Sequence, residues 1–195
     1  MKNIKIALFG KARSGKDTVG KILTGEKGFH RYAFGDEIGN IIRHYFPEVR
    51  EHGKPRKYYQ KIGQDFRELN PDVWINCLLR KVDVSLKLNA GVNQHLRGQG
   101  KKEIPFNIVV TDGRQTNEAD ILRKNGFVIV KINCPEEIRL QRMKAMGDVF
   151  NPQDLYHDTE LQVDKIEADY EIDNFGDLAE TRKQLEAILQ EIQNK

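Results

Sequence analysis

Cysteine is scarce: Cys77 and Cys134 are the only two in 195 residues, far apart and without CxxC or His-rich spacing. That excludes a disulfide framework and a structural zinc site, and it predicts two buried thiols. Long hydrophobic runs are missing too, since no stretch approaches the roughly 20 consecutive apolar residues of a membrane helix. Met1-Lys2-Asn3-Ile4-Lys5-Ile6 passes straight into a strand-like pattern without a signal peptide's apolar region. A cytoplasmic protein with no membrane partner is expected. One-sided charge is also lacking: 32 Lys and Arg stand against 29 Asp and Glu, a formal net charge of +3. Such a balance predicts no nucleic-acid or membrane surface beyond local basic patches. What is present, 38% hydrophobic and 31% charged residues, suits one ordinary domain with a sizeable core.

Strand-like and helical patterns alternate along the chain without an internal repeat. Ile4–Phe9 reads as an apolar strand that runs into a turn at Gly10 and a helix from about Lys16 to Thr24. After His30–Phe34, a second apolar piece, Ile38, Ile41, Ile42 and Tyr45 recur at helical spacing, and Tyr59, Ile62, Phe66 and Leu69 repeat it. Asn70-Pro71-Asp72 predicts an N-cap with proline in the first turn of a long helix burying Val73, Trp74, Cys77, Leu78 and Val82. Asn89 to Glu103, rich in Gly, Asn, Gln, Lys and Arg, predicts a mobile surface connection without core residues, with a basic cluster at Arg97–Lys102. Phe106–Thr111 and Phe127–Ile132 are near-continuous apolar strands of the kind covered on both faces. The first ends at Asp112-Gly113 and the second at Cys134-Pro135; each leads into a helix, and Glu136 and Glu137 sit where a helix start favours negative charge. A weaker strand, Tyr170–Ile172, precedes a last helix bearing Leu178, Leu185, Ile188, Leu189 and Ile192. Each parallel strand pair needs a crossover that covers a face, so the alternation predicts a parallel sheet between helices. Ligands should gather at the strands' carboxyl ends.

Gly10-Lys11-Ala12-Arg13-Ser14-Gly15-Lys16 has the G-x-x-x-x-G-K spacing, and it stands between a strand and a helix, where its mechanism requires it. The glycines let the backbone curl so that successive N–H groups meet phosphate oxygens, the helix start adds a favourable dipole, and Lys16 supplies a point charge to the β/γ-phosphates. As an exposed loop lysine, Lys16 is expected to contribute little to folding. The residue after it is Asp17, where a magnesium-binding Ser or Thr usually stands, and the hydroxyl arrives at Thr18. Asp17 binds the ion through water or caps the helix; the two readings stand level. Asp112, ending a buried strand, is the better candidate for holding Mg²⁺, with a turn-forming Asp-Gly as its alternative.

Gly10–Thr18, Ala33-Phe34-Gly35-Asp36, Asp65–Glu68 before Pro71–Trp74, Thr111–Arg114 with Asn117-Glu118, and Asp169–Asn174 together resemble the phage-type deoxynucleoside monophosphate kinases of the P-loop kinase superfamily. The likeness spans most of the chain, and the Gly-Lys-Asp-Thr ending is typical of that group and of phosphomevalonate kinase. The resemblance implies a three-layer α/β/α P-loop NTPase fold with a five-stranded parallel core over 1–34, 106–142 and 161–195. An acceptor-binding helical insertion would occupy 35–105 and a lid about 143–160. It implies ATP and Mg²⁺ as cofactors and small nucleotides as partners, without a specific nucleic acid, and leaves a homodimer open. Donor contacts would come from Gly10, Arg13, Ser14, Gly15, Lys16, Asp17, Thr18 and Asn174, with Asp17 and Asp112 toward the metal.

For the acceptor monophosphate the favoured arginines are Arg67 and Arg114, because a guanidinium grips phosphate with two parallel hydrogen bonds; Arg43 is a weaker third. Each has a solvated surface position as its plain alternative. Asp36 contacts the acceptor or serves as an ordinary helix N-cap. Tyr32, Phe66 and Trp74 line a base pocket or, more commonly for such residues, fill core. Lys16, Arg114 and Arg142 are the residues expected to stabilise the transferring phosphoryl group; Arg139 and Arg142 both follow the fourth strand, Arg142 being favoured. Between Lys144 and Lys165 no arginine occurs, a departure from the adenylate-kinase lid, and His157–Glu160 matches a lid-end motif or a capping arrangement. The rival readings are a kinase of another small phosphorylated acceptor, of phosphomevalonate or dephospho-coenzyme A type, and a nucleotide-dependent nucleic-acid-binding protein using Arg97–Lys102.

Overall fold

Five strands, β1 (Lys5–Phe9), β2 (His30–Tyr32), β3 (Ile108–Gly113), β4 (Val128–Asn133) and β5 (Tyr170–Asp173), form one sheet of order β2-β3-β1-β4-β5. The computed structural model describes residues 3–50, 55–146 and 161–194. Seven helices are described: α1 (Lys16–Glu26), α2 (Gly35–Tyr45), α3 (Arg56–Leu69), α4 (Val73–Gly98), α5 (Thr116–Lys124), α6 (Glu136–Ala145) and α7 (Leu178–Asn194). Helices lie on both sides of a parallel sheet, so the α/β architecture expected from the alternation is the one that forms. The chain divides into two units, Met1–Arg31 with Pro105–Lys195, and Tyr32–Ile104.

In the first unit β1 is the central strand, and Ile6, Ala7, Leu8 and Phe9 are all fully buried. Alternation sends Ile6 and Leu8 to one face, where they pack with Val19, Ile22 and Leu23 of α1 and Leu185, Ile188 and Leu189 of α7. Fully burying each such side chain is worth about 1.5–3 kcal/mol, so this layer fixes α1 against the sheet. The parallel registers Phe9↔Gly113 and Phe9↔Lys131 bring the carboxyl ends of β3, β1 and β4 level. Whatever leaves those three strands therefore meets at one edge. A capping box at Gln115 and Glu118 starts α5 directly after β3.

The second unit packs α2, α3 and α4 together. Trp74 is buried, donates from Nε1 to the Gly63 carbonyl at 3.1 Å and stacks on Phe66, and the Tyr32 hydroxyl donates to Ser85 Oγ at 2.7 Å. Several expectations are corrected here. The segment from Asn89 is no loose connection: α4 continues to Gly98, because the Asn89 and Asn93 amides donate to the Ile104 carbonyl and Asn93 Oδ1 accepts the Ile104 N–H, tying the helix to the returning chain. Pro71 lies before α4 rather than inside its first turn, and the Asn70 side chain accepts from the Asp72 N–H across that bend. Asp36 is no N-cap, since α2 begins at Gly35 with Phe34 as its N-cap. Both thiols, expected to be buried, are half-exposed. Of the expected lid over 143–160, residues 147–160 lie outside the described residues, as do His157–Glu160.

Candidate functional site

β1 delivers its last residue, Phe9, into a loop whose shape is set by three backbone conformations: Gly10 at φ 157°, Arg13 at φ 59° and Gly15 at φ 105°. Arg13 is the single non-glycine residue at positive φ among those described, a conformation that costs energy and marks a constrained turn. A Cβ on Gly15 would fall on the Asn174 side-chain amide, and one on Gly10 would stand 2.5 Å from Ser14 Oγ, so both positions exclude any larger residue. Ser14 N–H donates to the Lys11 carbonyl at 3.1 Å, closing the curl, and Gly15 becomes the N-cap of α1 without a side-chain cap. The helix start therefore presents backbone N–H groups and a positive dipole end at the loop, the arrangement that receives phosphate.

Lys16 corrects one expectation. It is buried at 6% exposure, with its ammonium bonded to the carbonyls of Gly10 and Lys11, so the loop wraps around it. Asp17 and Thr18, one and two residues on, are exposed on the first turn of α1, where a carboxylate favours the dipole. Asp112 lies half-buried at the end of β3, beside the point where β1 enters the loop. Next to it Gly113 leaves room for Phe9, whose ring would stand 2.6 Å from an added Cβ. A carboxylate at either position is the hard oxygen donor that Mg²⁺ takes, one or two of them beside phosphate oxygens and water. The buried Ser14 hydroxyl, 1% exposed and without a hydrogen-bond partner among the described residues, is a polar atom that a bound phosphate would satisfy.

Arg142 and Asn174, both expected near the donor, meet the loop from behind. Arg142 donates to the carbonyls of Arg13 (3.3 Å), Ser14 (3.4 Å) and Asn174 (2.8 Å), and Asn174 Nδ2 donates to the Ser14 carbonyl at 2.7 Å. Arg139, the less favoured of the α6 pair, is 2% exposed and donates to the Ala12 carbonyl at 3.3 Å. Arg114 follows β3 directly, half-buried, and its backbone N–H is held by Glu118 at 2.9 Å. In the second unit, Arg67 on α3 is half-buried beside the Gly63 carbonyl (3.5 Å), Arg43 on α2 is exposed and bonds Asn40 (2.8 Å), and Asp36 occupies the first turn of α2. Of the expected basic cluster, Arg97 is ion-paired with Glu103, whose carboxyl is held below the usual range by that bond.

Two participants escape a reading of the sequence. Lys11 bonds Asp164 at 2.7 Å, and the two line a cleft of about 370 Å³ together with Ser14, Lys131, Cys134 and Arg139. Thr181 is wholly buried in α7 and donates to Asn174 Oδ1 at 3.0 Å; its signal was a hydroxyl among Leu185, Ile188 and Leu189 on an otherwise apolar face. Burial pushes the Cys134 thiol up, against the pull of Arg142 and Arg139. Iodoacetamide should therefore alkylate Cys134 more slowly than a free thiol at neutral pH and catch up only above the ordinary thiol range. Mass-spectrometric rates equal to a free thiol's at pH 7 would contradict this.

A family model described as an AAA domain matches residues 6–151. No curated protein matches the sequence. Among solved structures, shikimate kinase from Acinetobacter baumannii with shikimate bound is similar at 18% identity and TM-score 0.57, covering 100% of this chain and 96% of its own. A gluconokinase from Sinorhizobium meliloti shares 20% identity at TM-score 0.53, with 98% and 95% covered. An unliganded sugar kinase from Janibacter shares 16% at TM-score 0.59, with 97% and 94% covered. These likenesses show the fold of P-loop kinases.

Proposed function

Because the chain belongs to the AAA-domain family, with a P-loop as its core feature, we propose that it moves the γ-phosphate of ATP to a (deoxy)nucleoside monophosphate, giving the diphosphate and ADP. The observation that carries the nucleotide half is the loop itself: a backbone curl at the start of α1 wrapped around the Lys16 ammonium, with the buried Ser14 hydroxyl awaiting an acceptor. Asp112 and Asp17 would hold Mg²⁺, which when bound would supply positive charge against the donor phosphates. Transfer between two phosphates asks for positioning and charge more than for a base, because the acceptor oxygen is already anionic at neutral pH. Lys16 supplies the charge on the donor side.

Support for the acceptor half comes from the residues that resemble the phage-type kinases, above all Arg67 and Arg114, whose guanidinium groups suit a dianionic monophosphate. A kinase acting on a small hydroxyl acceptor is the second reading, favoured by solved structures named for shikimate, gluconate and sugar kinases. ADP release measured across a panel of nucleoside monophosphates and small polyols separates the two: stimulation by a monophosphate is expected, and stimulation by a non-nucleotide acceptor alone would overturn the proposal. Arg67→Ala should raise KM for the monophosphate by about tenfold or more, the worth of a charge-assisted hydrogen bond, while KM for ATP stays within about twofold. An effect confined to ATP would remove Arg67 from the acceptor side.

A further inference from the structure

Three carbonyls in a row, those of Ala12, Arg13 and Ser14, are each held from outside the loop. Arg139 takes Ala12, Arg142 takes Arg13 and Ser14, and Asn174 takes Ser14 again with the shortest bond of the set, 2.7 Å. In a planar trans peptide the C=O and N–H point in opposite directions. Turning the Ser14 carbonyl outward onto Asn174 therefore turns the Gly15 N–H, on the same peptide, inward. Asn174 is itself placed by Thr181: of the two acceptors within reach of the hydroxyl, Asn174 Oδ1 at 3.0 Å is nearer than the Asp177 carbonyl at 3.2 Å, while the amide nitrogen on the other side of the group meets Ser14. Both side chains are buried, Thr181 completely and Asn174 at 6% exposure, so these bonds are not shared with bulk water.

Chain position fits the same account. Asn174 follows β5 and is anchored to the sheet by its own N–H, which donates to the Asn133 carbonyl at 2.9 Å. Thr181 sits on α7, whose next turns, through Leu185, Ile188 and Leu189, are fixed in the core with α1. The core thus reaches the loop through two polar side chains. Gly15 is the counterpart on the loop side, because any Cβ there would displace the Asn174 amide.

We propose that Thr181, acting through Asn174, is a positioning residue of the nucleotide site: together with Arg139 and Arg142 it braces the outer face of the loop and so aims the inner N–H groups at the donor phosphates. The inference rests on the nucleotide half of the function proposed above. It gives Asn174 and Arg142 work on the loop's backbone, whatever else they touch.

Calorimetric titration of MgATP into the wild-type chain, Thr181→Val, Thr181→Ser and Asn174→Ala tests it, with melting of each protein in the absence of nucleotide. Valine keeps the shape and removes the hydroxyl, serine keeps the hydroxyl and removes the methyl. Thr181→Val and Asn174→Ala should each weaken MgATP binding about tenfold, the worth of one buried hydrogen bond, while Thr181→Ser binds within about twofold of wild type. A folded Thr181→Val that binds as wild type does, or Thr181→Ser binding as weakly as Thr181→Val, overturns the brace, since packing alone would then explain the position. Should Thr181→Val fail to fold, Asn174→Ala decides: undiminished binding overturns the inference. A wild-type chain that is folded yet takes up no MgATP removes the underlying nucleotide reading instead, and the two failures are told apart by that control.

Discussion

Lys16→Met is expected to cut turnover about a hundred- to a thousand-fold, the loss typical of removing one preorganised charge from a site of charge transfer, with the melting temperature moving by only a few degrees. The two halves of this expectation have separate causes. Turnover falls because the ammonium, held by the Gly10 and Lys11 carbonyls at the start of α1, is the positive charge the loop carries to the phosphates. Stability holds because burying an ammonium costs roughly what its bonds to the carbonyls return, and a methionine of similar length fills the space. The check is kcat at saturating substrates beside a thermal melt. Melting that collapses together with activity would mean the lysine is chiefly a structural pin.

Gly113→Ala should lower stability by about 2–3 kcal/mol, as overpacking of a full core does, which for a chain of this size is a fall in Tm of ~4–12 °C. The added methyl would stand 2.6–2.8 Å from three ring carbons of Phe9. Phe9 is fully buried on the central strand and has nowhere to retreat, since its neighbours across the sheet are Gly113 on one side and Lys131 on the other. Any shift of β3 is passed to Asp112 and Arg114, one residue away on either side, so activity should fall more than the population of folded protein does. Differential scanning calorimetry checks the first effect and kcat on the folded fraction the second. An unchanged Tm would contradict the packing of Phe9 against β3.

The loop was legible in the sequence because its chemistry tolerates few alternatives: a strand must end, two glycines must permit the curl, and a lysine must follow at fixed spacing. The buried strands were legible for a related reason, since Val109-Val110 and Ile129-Val130 place apolar side chains on both faces at once. What failed was whatever depends on a distant partner. Asn89, Gly91 and Asn93 look locally like a connection, and only the return of Ile104 onto the asparagine amides reveals a helix there. Lys16 looks exposed until the curl closes around it. Thr181 and Ser14 are joined through Asn174, which lies 160 residues from Ser14 in sequence, and no local pattern announces that pairing. The arginines of α6 were recognisable as belonging to the site, yet their attachment to loop carbonyls depends on how tightly α6 packs behind the loop.

The central claim is that the curl after β1 grips the polyphosphate of a magnesium nucleotide. Titrating MgATP into the 195-residue chain at constant ionic strength, with circular dichroism on the same sample to establish that it is folded, tests this most directly. The account predicts saturable heat fitting one site per chain, and its loss in Lys16→Met. A folded protein that gives no heat, or heat that Lys16→Met leaves unchanged, would contradict it.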